Sequence, residues 1–155
     1  MKQWTYFVFL SLCVVVSNNG FAQGQEGDGT KNIKDDIQVD VKSVDIKAEG
    51  DTLSIALFLI SYQMPPREFK LNTYATQVID REGGEHLCSS MEMGRVLVHL
   101  ADRQNYLHYL LEEDTPVPLT IKIGDWQEGE PSKVRLVFED STEEGRFITQ
   151  EVDLP

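Results

Sequence analysis

Beyond residue 22, and apart from the carboxylates, the chain offers few groups able to do chemistry: His86, His99, His108, Cys88 and Trp126. The histidines have no metal-ligand spacing. No H-E-x-x-H or C-x-x-C occurs, and no two histidines are separated by one residue on a strand, so no metal is expected. Cys88 with one of the histidines would make a thiolate nucleophile and base only if an imidazole stood within hydrogen-bond reach. Its neighbours Leu87 and Ser89 belong to no familiar catalytic surround. No G-x-S-x-G elbow and no phosphate-cradling glycine loop is present. The acidic groups Glu112-Glu113-Asp114, Glu139-Asp140 and Glu143-Glu144 suit calcium by chemistry, but none matches a defined calcium loop. Carboxylates at strand ends also blunt sheet edges. The expectation is a non-enzymatic chain without cofactors, with a Cys88-based enzyme as the remote alternative.

The elements that hold these groups are organised around Leu53 to Tyr62, LSIALFLISY, which carries no charge. It is too short for a bilayer span, which needs roughly 20 apolar residues as a helix. Asp51-Thr52 before it and Met64-Pro65-Pro66 after it leave room for a strand and not for a long helix. Side chains alternate along a strand, so Leu53, Ile55, Leu57 and Leu59 share one face, which is core. Ala56, Phe58, Ile60 and Tyr62 share the other. A strand with one wet face alternates apolar with polar residues, and this one does not. Phe58, Ile60 and Tyr62 are therefore either covered within the molecule or form a partner surface. Trp126 falls on the parity opposite Leu119, Ile121 and Ile123. That predicts a partly exposed ring, a second candidate for partner contact. With nearby tyrosines it is also a platform for stacking a glycan or small ligand.

The chain opens like a secretory signal peptide. Lys2 is the positive start, Tyr6 to Val16 the apolar run, and Gly20 and Ala22 the small residues of a cut after Ala22. Lipidation at Cys13 is disfavoured by the bulky Leu12 and by Val14-Val15-Val16 beyond it. Residues 1–22 are thus read as signal peptide, 23–32 as a flexible glycine-rich lead-in and 33–155 as one domain, destined for the periplasm or the extracellular space. Cys13 leaves with the leader, so Cys88 has no internal disulfide partner and is expected to be a buried thiol, with an intermolecular thiol as the alternative. The formal net charge is −12, one unit more negative without Lys2. That acidity opposes nucleic acid and anionic membranes and favours solubility and basic partners.

The rest reads as short strands between turns. Ile37, Val39 and Val41 alternate, the period slips by one residue, and Val44 and Ile46 continue it, the mark of a bulge or a change of sheet. Phe69 to Asp80 alternates weakly, with Tyr74, Thr76 and Val78 on one side. Glu82-Gly83-Gly84-Glu85 is a hairpin turn, followed by a return strand His86 to Met91 and another from Val96 to Leu100. Tyr106 to Leu111 has helical spacing but is closed within two turns by Pro116 and Pro118, where a lone helix is marginal, so a strand is expected. Leu119-Ile123, Val134-Phe138 and Ile148-Leu154 complete about eight strands. That pattern is an all-β antiparallel sandwich, with a small β-barrel as the alternative.

Val41 to Ile46, the turn at Gly50, Leu53 to Ile60, Val78-Ile79-Asp80 with Gly83-Gly84, and Pro116 to Ile123 together resemble a family of small exported bacterial proteins. The resemblance implies an immunoglobulin-like sandwich with no assigned activity and no catalytic residues to carry over. The leading expectation for function is an exported module that binds another protein, another copy of the chain included, through Phe58, Ile60, Tyr62 and Trp126.

Overall fold

The computed structural model describes residues 32–47, 51–127 and 129–155. The leader and nearly all of the lead-in expected from the sequence lie outside the described residues. Twelve strands are described: β1 (Ile33–Lys34), β2 (Ile37–Lys47), β3 (Thr52–Ser61), β4 (Arg67–Asn72), β5 (Gln77–Asp80), β6 (Glu85–Leu87), β7 (Ser90–Met93), β8 (Val96–His99), β9 (Tyr106–Leu111), β10 (Val117–Ile123), β11 (Pro131–Glu139) and β12 (Phe147–Asp153). They form two antiparallel six-stranded sheets packed as a sandwich. The first sheet runs β1-β2-β3-β10-β7-β8. In the second, β12 pairs with one flank of β11, β4 and β5 pair with the other, and β9 and β6 pair with β4 and β5. No helix among the described residues is long and apolar enough to cross a membrane.

Alternation in β3 builds the core. Leu53, Ile55, Leu57 and Leu59 are fully buried, and so are Leu119 and Ile121 of β10 beside them. From the second sheet come Phe69, Leu71, Leu107, Val134, Leu136 and Phe138, also fully buried, with the Phe69 and Phe138 rings 5.2 Å apart. Each such side chain contributes about 1.5–3 kcal/mol of transfer free energy, so the two inner faces hold the sheets together. The slip in β2 is a bulge between Val41 and Ser43, which keeps Val44 opposite Ile55.

Two expected strands are broken, each for a visible reason. Phe69 to Asp80 is divided by a turn in which Asn72 Oδ1 accepts from the backbone N–H of Tyr74 and Ala75, at 3.1 and 3.0 Å. Leu71 pairs with Phe138 and Val78 with Val134, so β4 and β5 share one flank of β11 with a loop thrown out between them. Thr76 Oγ1 fills the gap in the ladder by accepting from Val137 N at 3.2 Å. Tyr74, expected on the side of Thr76 and Val78, is instead exposed at the tip, while those two are buried. The return strand His86 to Met91 is also not continuous: β6 belongs to the second sheet and β7 to the first. The chain changes sheet at Cys88-Ser89, where Ser89 N donates to Lys122 O of β10 at 2.8 Å. Leu87 is therefore exposed although Met91, of the same parity, is buried. Tyr106 to Leu111 is a strand, as expected.

Candidate functional site

The outer face of β3 is where chemistry and exposure meet. Phe58 and Ile60 are half-buried, and Tyr62, just past the strand, is 40 % exposed. The neighbouring strands frame this stripe. Asp40 of β2 and Pro118 of β10 lie opposite Phe58, and Gln38 lies opposite Ile60. Tyr62 Oη donates to Gln38 Oε1 at 2.7 Å, and Gln38 Nε2 donates to both carboxylate oxygens of Asp40 at 2.9 and 2.8 Å. Lys42 Nζ sits 5.0 Å from the Phe58 ring centre, a cation over an aromatic face. The stripe is thus apolar along its spine and bordered on one side by a hydrogen-bonded polar rail.

The outer face of the second sheet has a different character. Arg135 of β11 bonds Glu85 at 2.6 Å and Glu151 at 3.1 Å, and Lys133 lies 3.7 Å from Asp153. Glu151 is held below the usual carboxylate range by its hydrogen bond to Arg135. A ladder of solvated ion pairs of this kind resists dry contact, because covering it strips water from every charge.

At the end of β3 the chain turns through a cis Met64–Pro65 bond. Met64 is 74 % exposed. Pro65 and Pro66 stand between two concavities. One, of about 480 Å³, is lined by Gln63, Arg67, Glu68 and residues 139–142 and 144 of the β11–β12 turn. The other, of about 520 Å³, is lined by Met64, Glu112 and Glu113. Arg67 is 6 % exposed. Its guanidinium donates to the Asp35 carboxylate at 2.8 Å and to Glu139 O at 3.1 Å. Asp35 in turn accepts from Ser141 N at 2.9 Å and Oγ at 2.7 Å. Glu139 and Asp140 are both held ionised below their usual range. For Glu139 the first cause is the N–H of Gly145, followed by Lys70. For Asp140 it is the hydroxyl and N–H of Thr142.

Trp126 is placed differently from its expected exposure: it is 6 % exposed and belongs to the core. Strand parity stops applying because β10 ends at Ile123 and Asp125 adopts φ +54°, which turns the indole inward. Its Nε1–H donates to Gly129 O at 3.2 Å, and its ring packs on His86 with centroids 4.5 Å apart. The Trp126 N–H bonds Asp51 O, at the start of β3, so Trp126 and Tyr62 lie at opposite ends of that strand and do not form one surface.

His86 Nε2 lies 2.8 Å from Asp80 Oδ2. His108 pairs with exposed Glu68 at 2.9 Å, and His99 is exposed. Cys88 is 1 % exposed, and its Sγ–H donates to Thr76 O at 3.4 Å. Burial pushes its pKa up to about 12, the reverse of what a thiolate nucleophile requires. Among the described residues no group of three or more His, Cys, Asp or Glu is arranged to hold a metal ion. Sequence reasoning did not find the cleft beside Arg67. Its signal was a lone arginine directly after Pro65-Pro66, which only the fold joins to the β11–β12 turn. No family model, curated protein or solved structure matches the chain.

Proposed function

We propose that the chain is an exported, non-enzymatic module that binds another protein at the cell envelope or outside it, with Phe58, Ile60 and Tyr62 contacting the partner. One observation carries the reading. β3 is sealed on one face, and on the other it presents half-open apolar side chains, ending at exposed Tyr62 and Met64. Large side chains of this type, inside a polar border, are what the core of a protein interface is made of. The buried, protonated Cys88 thiol supports a non-catalytic role. The family resemblance of the sequence to exported sandwich proteins supports export. The inward-turned Trp126 leaves the glycan-binding alternative without its stacking ring.

The test is a pull-down from envelope extract with the folded chain as bait, beside Ile60→Lys and Tyr62→Ala. A single protein captured saturably by the parent and lost by both variants, with circular dichroism unchanged, is the expected result. Sedimentation velocity of the bait alone reports whether that protein is a second copy. Equal capture by folded Ile60→Lys would remove this face from the argument.

A further inference from the structure

Several edges of the two sheets are short or already occupied. β1, β6 and β8 have two, three and four residues. On the free flank of β12, Glu151 O and Thr149 O accept from Asn32 Nδ2 and from the Lys34 ammonium. β2 is different. It has eleven residues, yet β1 pairs only with Ile37 and Gln38, followed by one bond from Val39 N to Asn32 O. From Asp40 to Lys47 no strand lies on its outer flank among the described residues.

The backbone along that flank is directed outward. Val39, Val41, Val44 and Ile46 lie opposite Leu59, Leu57, Ile55 and Leu53 of β3, so they keep one backbone direction across the bulge. The Val39 N–H points away from β3, to Asn32. Backbone groups at these alternate positions share a flank. The N–H and C=O of Val41, Val44 and Ile46 therefore form an open template for another strand. Val41 and Val44 are half-buried, and Ile46 is 53 % exposed.

Charges usually protect such an edge by repelling a second strand. Here they are Asp40, Lys42, Asp45 and Lys47, a neutral set in a chain of net charge −12. None of the four makes an ion pair among the described residues. We propose that the free edge of β2 pairs antiparallel with the same edge of a second copy, about a twofold axis at Val44. That axis sets Asp40 of each copy opposite Lys47 of the other, Val41 opposite Ile46, Ser43 opposite Asp45, and Val44 opposite itself. Lys42, the extra residue of the bulge, falls beside Asp45 of the other copy. The positions that exchange hydrogen bonds, 41 with 46 and 44 with 44, are those whose backbone groups point outward, as an antiparallel ladder requires. Moving the axis by one ladder position sets Asp45 against Asp45, or Asp40 against Asp45, and like charges directly opposite are destabilising. The edge is thus complementary to itself in one register. The two first sheets become one, and both copies' stripes from Phe58 to Tyr62 face the same side and stay open. The inference does not depend on the protein-binding reading of that stripe.

The test is sedimentation velocity of the chain from micromolar concentration to about 0.5 mM. A reversible monomer–dimer equilibrium is expected. Asp40→Lys should weaken it at least about tenfold, and adding Lys47→Asp to that variant should restore it to within about threefold. Ile46→Pro removes an outward N–H without touching the ladder to β3, and should abolish the dimer with circular dichroism unchanged. Ile60→Lys should leave it intact. Amide exchange at Val41, Val44 and Ile46 should slow as concentration rises. A chain that stays monomeric throughout, a dimer indifferent to Asp40→Lys, or a folded charge-swapped variant that remains monomeric would overturn the proposal. A dimer kept by Ile46→Pro and lost by Ile60→Lys would place the contact on the β3 face and overturn the edge. Failure of the edge with an Ile60-dependent pull-down leaves the partner reading standing. An edge dimer with an empty pull-down overturns the partner reading alone.

Discussion

His86 Nε2 and Asp80 Oδ2 stand 2.8 Å apart across the β5–β6 turn, and the other carboxylate oxygen of Asp80 accepts from Glu82 N and Gly84 N at 2.9 and 2.8 Å. One carboxylate thus closes the hairpin and fixes the ring on which Trp126 packs. Gly84 is required at this turn, because a Cβ there would meet the Asp80 carboxylate.

The pH dependence of stability follows from that carboxylate. Asp80 titrates below its ordinary 3.8, chiefly through His86 and then the N–H of Gly84. A group depressed on folding stabilises fully above its unfolded value, and the stabilisation is lost as pH falls through the folded value. Asp80→Asn should therefore lower Tm above about pH 5, with the gap closing below about pH 4. Thermal unfolding monitored by circular dichroism across that range is the check. A gap that persists unchanged at pH 2.5 would contradict the assignment.

Trp126 and Tyr62 should separate cleanly by stability. Trp126→Ala removes a large core ring and should cost about 3–5 kcal/mol. Tyr62→Ala removes an exposed ring and one rail hydrogen bond and should cost under about 1 kcal/mol. Urea unfolding of the two variants measures both. Similar costs would mean that the β3 face is buried in solution.

Gly94 has φ +57°, and a Cβ there would come within 2.5 Å of Tyr109 Oη. Gly94→Ala should destabilise by about 1–3 kcal/mol, through overpacking and left-handed backbone. Combined with Tyr109→Ala, the loss should fall short of the sum of the single changes by at least about 0.5 kcal/mol. Strict additivity in the double-mutant cycle would show that the two residues do not touch.

Cys88 should be silent in the native chain. With a pKa near 12, roughly one molecule in 10⁵ carries the thiolate at pH 7, and the sulfur is enclosed as well. Alkylation by iodoacetamide should proceed only at the rate of unfolding, and at the rate of a free thiol in denaturant. Rapid modification of the native chain would reopen the thiol-enzyme alternative.

The legible parts of the fold were those governed by strand periodicity. Leu53 to Leu59, Leu119 to Ile123 and Val134 to Phe138 announce their buried faces because alternation is a local property of extended backbone. The bulge after Val41 was visible for the same reason, as a slip in the period. Leu87 and Tyr74 defeated the pattern. A chain that crosses between sheets, or throws a loop out of one ladder position, changes which parity points inward, and only tertiary pairing decides that. Trp126 was misplaced by extending the parity of β10 past its end at Ile123. The candidate face of β3 was readable because its lack of polar residues is itself anomalous. The cleft was not, since Asp35, Arg67 and Ser141 are brought together by three separate parts of the chain.

The position of β10 between β3 and β7 has a consequence for how the chain comes into being. β2 can cover one flank of β3 as soon as the hairpin closes. The other flank keeps its hydrogen-bonding groups open until Val117 to Ile123 has emerged. For that whole interval the uncharged, largely apolar β3 is an unfinished sheet edge, the kind of template on which chains aggregate. Assembly is therefore governed by pairing between distant segments, a slow route. An exported form of such a chain would have to be kept apart from its own copies until the first sheet closes.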